Sequence, residues 1–327
     1  MATPTITVHE SRAPEKRAGA LRQALQAHRL PGHVLYEGPG QAQRWLAYHQ
    51  AWSPSRTEAA LQALYREACG MAVGALGGPL HAVSLGCGGG RKDGDLLDAV
   101  PAAMRAGSHY TPLDASAALV TEVSEHVKLR HPGVTQHPIE ADLEAEPPLR
   151  TWLDDQDGGT LARLFSCFGM IPNFDAETFP RYLASLVRAQ DGLLFSANLS
   201  PGGFAVDRDR ILRQYDNPEA RAWYRGALEA LGIASADYTL TLTATPLVQD
   251  GSRWQIAADA TTLRRVRAKT GGVTHPLPEG ERLRVFFSNR FTPNAIAALL
   301  ASAGLIVTKS WMHATGEEGI FWCRRKR

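Results

Sequence analysis

Cysteine is scarce in this chain. There are four, Cys69, Cys87, Cys167 and Cys323, and no two have Cys-x-x-Cys spacing. That excludes a zinc ribbon or a thioredoxin-like pair, and the apolar or glycine-rich neighbours read as reduced thiols rather than a disulfide framework. His-Glu-x-x-His is missing and the 11 histidines are scattered, so no metal is expected. Charge of one sign is nearly absent: 35 Lys and Arg against 33 Asp and Glu leave a net +2, which speaks against a nucleic-acid or membrane surface. No apolar run approaches the about 18 residues of a membrane span. The N-terminus has neither the charged nor the apolar region of a secretory signal, so a cytoplasmic protein is expected. There is no Gly-x-Ser-x-Gly elbow and hence no sign of a covalent nucleophile. What remains is an ordinary globular composition, 44% hydrophobic and 21% charged, over 327 residues, enough for one large domain or two smaller ones.

The stretch that organises the chain is 82–90. Val83 and Leu85 read as the end of a buried strand, Gly86, Cys87, Gly88, Gly89 and Gly90 as a turn almost without side chains, and Leu96 and Leu97 as part of the helix that follows. Strand, glycine turn and helix open a doubly wound nucleotide-binding sheet. The glycines admit positive φ and let a ligand lie against the backbone. The dinucleotide fingerprint needs Gly or Ala where Arg91 stands, and a phosphate P-loop fails on both sides of Lys92. Gly-x-Gly-x-Gly remains, the loop common in enzymes that bind S-adenosylmethionine (SAM). An acid ending the second strand, to grip ribose hydroxyls, is supplied by Asp114. A third acid near the adenine is supplied by Asp142, followed by Leu143.

Taken in order, residues 1–14 read as a loose arm and 15–29 as a helix that Leu30, Pro31 and Gly32 stop. A helix is expected around 41–49, and Ser53 to Glu58 reads as a cap for a helix over 59–68. Strands at 82–86, 109–114, 135–140, 161–167 and 193–196, with a helix at 176–188, indicate a mostly parallel sheet. Ligands bind such sheets outside the carboxyl ends of the strands, where Gly86, Asp114, Asp142 and the 168–174 loop fall. Beyond residue 196 the rhythm changes. Helices at 211–215 and 220–231 precede strict alternation over 238–247, strands over 253–260, 261–267 and 283–287, and a Gly/Pro loop over 271–281. Helix 294–303, capped by Thr292 and Pro293 and ended by Gly304, and strands 305–311 and 319–323 return to the sheet. The fold class is therefore α/β, a Rossmann-like SAM-binding core with a β-rich insert. The expected division is 60–196 plus 288–327 for the core and 1–59 plus 197–287 for the accessory part.

These residues resemble a family, the histidine N-alpha-methyltransferases that form hercynine in ergothioneine biosynthesis. The resemblance runs in pieces from about residue 30 to 325. Tyr36 and Glu37 are similar to its Tyr-Asp, and Arg56, Thr57 and Glu58 to its Arg-Thr-Glu. Its glycine motif is followed by a lysine and a Leu-Leu helix, as in Lys92, Leu96 and Leu97. Tyr110, Pro112, Asp114 and Ser116 match its Tyr-x-Pro-x-Asp-x-Ser. Ile171, Asn173 and Phe174 keep part of its Gly-Ser-Thr-Ile-Gly-Asn-Phe, and Tyr215 and Asp216 part of its Ala-Tyr-Asp-Asp. Ser288, Arg290 and Phe291 resemble its Ser-x-Lys-Tyr.

The resemblance implies a SAM-dependent N-methyltransferase of a small amino-acid-like acceptor. SAM is then held by Gly86, Cys87, Gly88, Gly90, Lys92, Asp114, Asp142 and Leu143. Tyr36, Asn173 and Tyr215 are the residues expected to bind and orient the acceptor amine and carboxylate, in a pocket that also includes Trp52, Phe168, Ile256, Phe286 and Ser288. The departures bear on specificity. The family's imidazole-binding Glu is Phe286 here, and its neighbouring Met is Ile256. Phe286 accepts no hydrogen bond and offers an apolar or aromatic wall. A site built for an imidazole N–H loses that contact, so an acceptor other than histidine is expected, with an aromatic or apolar side chain. Methylation of a heteroaromatic or natural-product scaffold at N or O, and ligand binding without catalysis, stand as alternatives.

Overall fold

The computed structural model describes residues 5–270 and 273–326. The first seven strands are β1 (Thr7–Val8), β2 (Leu80–Leu85), β3 (His109–Asp114), β4 (Thr135–Gln136), β5 (Ile139–Glu140), β6 (Ala162–Phe168) and β7 (Gly192–Asn198). A second group follows, β8 (Tyr238–Pro246), β9 (Arg253–Thr262), β10 (Val266–Thr270), β11 (Val273–Leu277) and β12 (Arg282–Phe291), before β13 (Leu305–Met312) and β14 (Glu318–Arg325).

The large sheet has the order β1-β5-β3-β2-β6-β7-β14-β13, with β4 beside β3. Neighbours from β1 to β7 are parallel, and the β13–β14 hairpin closes the edge with β14 antiparallel to β7. Every residue of β2 is buried, as expected of a strand covered on both faces. The expected third strand is broken in two by Pro138, which has no N–H to give the ladder. The N-terminal segment is not a loose arm where it is described. Thr7 pairs with Ile139 and Val8 with Glu140, and the helix Pro14–Gln26 follows. Residues 1–4 lie outside the described residues.

Between β7 and β14 the rings of Phe195 and Phe321 stack at 4.8 Å. Gly192 leaves room for Trp322: a Cβ there would stand 1.8 Å from the indole. At the sheet edge away from the glycine turn, buried Arg163 is bonded to Asp157 and Asp154, and Asp157 also meets the His81 ring at 2.8 Å.

The second sheet, β12-β9-β8, is antiparallel, and β10–β11 form a separate hairpin. β8 alternates between covered and open positions. The Gly/Pro loop expected over 271–281 contains β11, since Val273–Leu277 pairs with Val266–Thr270; Gly271 and Gly272 lie outside the described residues. β12 is longer than expected and runs to Phe291, where it bridges to Leu199 just beyond β7. The 287/288 boundary thus falls inside one strand that ties the two sheets together.

Candidate active site

A cavity of about 370 Å³ opens at the carboxyl ends of β2, β3, β5 and β6, beneath the second sheet. Its floor is the glycine turn. Gly90 has φ 66°, and a Cβ there would meet Val123 at 2.6 Å; Gly88 has φ 51° with Trp45 at 2.8 Å. Both positions combine left-handed backbone with a close neighbour, a pairing only glycine tolerates. The Met170 side chain lies directly over Gly86.

Asp114 ends β3 beside this turn. Its Oδ2 accepts from Gly88 N at 3.1 Å and its Oδ1 from Ser116 N at 3.0 Å. Each oxygen keeps lone pairs for a diol. Burial raises its pKa to about 6, against the lowering pull of the backbone amides. Asp142 accepts from Glu144 N at 3.0 Å and meets His33 Nδ1 at 2.9 Å. Burial alone would raise its pKa, but the His33 hydrogen bond and charge hold it below the usual range. Asp142 and Leu143 line the far wall.

Lys92 is partly buried, and desolvation lowers its pKa. Its Nζ donates to the Tyr65 hydroxyl at 2.8 Å, lies 3.7 Å from Glu318, and sits over the Tyr65 ring at 4.1 Å. Tyr65 in turn donates to Glu318. On the other side of the turn Arg56 donates to His49 Nδ1 at 3.3 Å, and the His49 ring stacks on Trp45 at 4.9 Å. Burial, with Lys92, Arg56 and Arg91 nearby, pushes the His49 pKa down to about 3, so the imidazole is neutral. Tyr65, Glu318, His49 and Trp45 were not among the expected site residues. They belong to helices and to β14, distant in sequence from the glycine turn, so spacing offered no signal. Arg56 lay in the motif but was assigned no role.

The other half of the cavity is aromatic. Tyr36 packs against Trp45 at 5.8 Å and Trp223 at 5.5 Å. Burial raises its hydroxyl pKa, with Asp114 and Tyr215 adding to the shift. The Tyr215 ring stacks with Phe286 at 5.8 Å, and Phe286 with Tyr224 at 5.3 Å. Arg290 donates to the Tyr215 hydroxyl. Asn173, at the end of a short 3-10 turn Ile171–Asn173 after β6, and Phe168 complete the wall. Trp52 stands at the mouth, 41% exposed, its Nε1 donating to Glu219 at 3.0 Å.

The structure therefore brings Gly86, Cys87, Gly88, Gly90, Lys92, Asp114, Asp142, Leu143, Tyr36, Trp52, Phe168, Asn173, Tyr215 and Phe286 to one cavity. Two expected pocket residues are not on its wall. Ile256 is fully buried in the same cluster as Trp223 and Tyr224, and Ser288, its cross-strand partner, lies behind the Arg290 guanidinium at 3.5 Å. They share the sheet face of Phe286, but larger side chains cover them. Among the described residues, His33, Asp142 and Glu144 are the one group spaced to hold a cation. His33 bonds Asp142, and Glu144 accepts from Gly32 N at 3.1 Å, so this group reads as an internal brace. No helix is long and apolar enough to cross a membrane among the described residues.

A model of the SAM-dependent histidine-specific methyltransferase family matches residues 17–325. The histidine N-alpha-methyltransferase of Mycolicibacterium smegmatis is 26% identical over 336 residues, covering 97% of this chain and 98% of the relative. The enzyme of the same description from Mycobacterium tuberculosis is 25% identical over 252 residues, 73% of each chain. Among solved structures, a SAM-dependent methyltransferase from Clostridium acetobutylicum gives a TM-score of 0.47 at 9% identity, covering 87% of this chain and 99% of that one.

Proposed function

The chain belongs to the SAM-dependent histidine-specific methyltransferase family, and from that premise we propose that it methylates the amine of an amino acid or amino-acid-like small molecule. Within the fold we assign 60–196 plus 288–327 mainly to SAM and 1–59 plus 197–287 mainly to the acceptor, with Arg56 reaching across to SAM and Asn173 and β12 reaching across to the acceptor. SAM, when bound, supplies a methyl group on a sulfonium that departs as a neutral thioether.

The residues around the glycine turn suit that group. Asp114 has free lone pairs for two ribose hydroxyls, the bare turn admits the nucleoside, and Arg56 and Lys92 offer cations to a carboxylate. The chain's further task is alignment, which can be worth about 7–11 kcal/mol of barrier. Asn173 and Tyr215 hold the acceptor's carboxylate and amine, and Tyr36 directs the amine toward the turn. The attacking amine arrives without its extra proton and loses another as the N–C bond forms. The aromatic walls and the nearby Arg290 guanidinium favour the uncharged amine by making an ammonium costly to bury.

The acceptors named for the two relatives are histidine. The observation that carries a different side-chain preference is Phe286, which stands in an aromatic stack with Tyr215 and Tyr224. A ring or apolar chain packs there; an imidazole finds no hydrogen-bond acceptor in that residue. A panel of amino acids and related amines, incubated with SAM and read by mass spectrometry, tests the proposal. Methylated products confined to amino acids support it. A chain that binds SAM by calorimetry but methylates none of the panel overturns it.

A further inference from the structure

We infer that Arg290 is the anion-binding residue of the acceptor pocket and restricts acceptors to those carrying a carboxylate. This rests on the amino-acid reading above and names a residue and a selection rule for it.

Four arginines are buried among the described residues: Arg12, Arg163, Arg188 and Arg290. Three are matched by acids. Arg12 meets Glu140 at 3.1 Å, Arg163 meets Asp157 at 2.7 Å, and Arg188 meets Asp191 at 2.8 Å. Arg290, 1% exposed, has no carboxylate partner among the described residues. Its Nη2 donates to the Tyr215 hydroxyl, its Nη1 has only the Ser288 hydroxyl and the Asn289 carbonyl, each a long 3.5 Å away, and its Nε has no partner. The guanidinium also lies over the Tyr215 ring, 5.0 Å from its centre. Arg290 lines the cavity, so the missing counter-charge faces the space where an acceptor sits.

A buried, unmatched cation is costly, and a fold that pairs its other three so closely has no structural use for a fourth left open. A carboxylate from the acceptor supplies the missing partner. The Arg290–Tyr215 bond adds geometry. With its oxygen accepting from the guanidinium, the Tyr215 hydroxyl has its proton free to donate to the same anion. Charge-assisted bonds from a fixed guanidinium are the strong, directional kind. Neutral amines and amides lack the partner and leave the charge buried alone, so they are rejected.

The test compares an acid with its amide. Indole-3-acetate and indole-3-acetamide differ in the group that meets Arg290 and need no turnover. Isothermal titration is run on the full chain saturated with S-adenosylhomocysteine. The expected result is that the acid binds at least tenfold tighter than the amide. In Arg290→Met the preference disappears, and in Arg290→Lys most of it is kept. Equal binding of the two in the wild-type chain, binding of neither, or an acid preference that survives in Arg290→Met overturns the proposal. The wild-type comparison stands even if a variant does not fold. Failure to methylate amino acids would count against the proposed reaction, which this binding measurement does not involve.

Discussion

Gly88 and Asp114 form one unit: the amide of the turn donates to the carboxylate that ends β3, at 3.1 Å. The same bond fixes the turn and aims the acid. Asp114→Ala is expected to weaken SAM by about 1.5–3 kcal/mol, the range for hydrogen bonds to a charged group. Calorimetry on the variant checks this, and an unchanged dissociation constant removes Asp114 from the cofactor site.

The pKa of Asp114, raised to about 6 by burial, gives a pH signature. Ribose hydroxyls donate to the ionised carboxylate, so binding favours the deprotonated form. SAM affinity is therefore full above pH 6 and falls as the pH drops through it, by up to about tenfold per unit. Buried Asp93, also raised to about 6, titrates in the same window while accepting from Ser84 and Tyr110. Asp114→Asn separates the two: the pH dependence flattens if Asp114 is its source and persists if Asp93 is.

Asn173 makes the opposite prediction. It sits where β6 delivers the chain to the aromatic half of the cavity. Asn173→Ala should leave the SAM dissociation constant within about twofold and lower kcat/KM about a hundredfold, the size of effect that misplacing a reactant by an ångström produces. Collapse of SAM binding with normal turnover at saturating SAM would move Asn173 to the cofactor site.

The core of this fold was legible because local chemistry dictates it. A glycine turn after an apolar run, an acid at the end of the next strand and a Thr-Pro cap before a helix are each read within ten residues. Thr292 does accept from Ala295 N at 3.3 Å, as such a cap should. The strand positions of the parallel sheet followed from the same signals. Missing were features made by contact across the chain. Val8 pairs with Glu140, and Lys92 with Tyr65 and Glu318, at separations no periodicity reports. β11 hid inside a Gly/Pro-rich stretch because a hairpin there is stabilised by its partner strand rather than by its own propensity. Ile256 and Ser288 alternate correctly with Phe286, yet alternation gives the face and not what covers it.

Away from the site, the Asp157–Arg163 pair predicts stability without function. Asp157→Ala leaves fully buried Arg163 with Asp154 as its remaining acid partner. Breaking one side of a buried pair costs about 3–5 kcal/mol, to be read from denaturant midpoints, with SAM affinity unchanged. Burial works to raise the Asp157 carboxyl, but hydrogen bonds from His81, Arg163 and Gly159 hold it well below the usual range. A depressed carboxylate stabilises the fold above its unfolded pKa of about 4 and loses that contribution as pH falls below it. The wild-type chain should therefore lose stability on acidification below about pH 4 more steeply than Asp157→Ala. Parallel acid-unfolding curves for the two proteins would refute the assignment.

The last prediction concerns Phe286. Its ring stacks on Tyr215 and Tyr224 and lines the cavity where the resemblance puts an imidazole-binding carboxylate. Histidine bound there buries a ring N–H without that acceptor, at about 1–3 kcal/mol per unsatisfied group, roughly ten- to hundredfold in affinity. Steady-state rates at equal SAM should thus favour L-tryptophan over L-histidine. Phe286→Glu should move the ratio toward histidine, because the new carboxylate restores an acceptor and burdens an apolar side chain with a buried charge. The variant carries its own control, since Asp114 and the glycine turn are untouched and SAM binding should not change. Efficient methylation of histidine by the wild-type chain, with no gain from Phe286→Glu, would mean that another residue receives the imidazole and that Phe286 is a packing residue only.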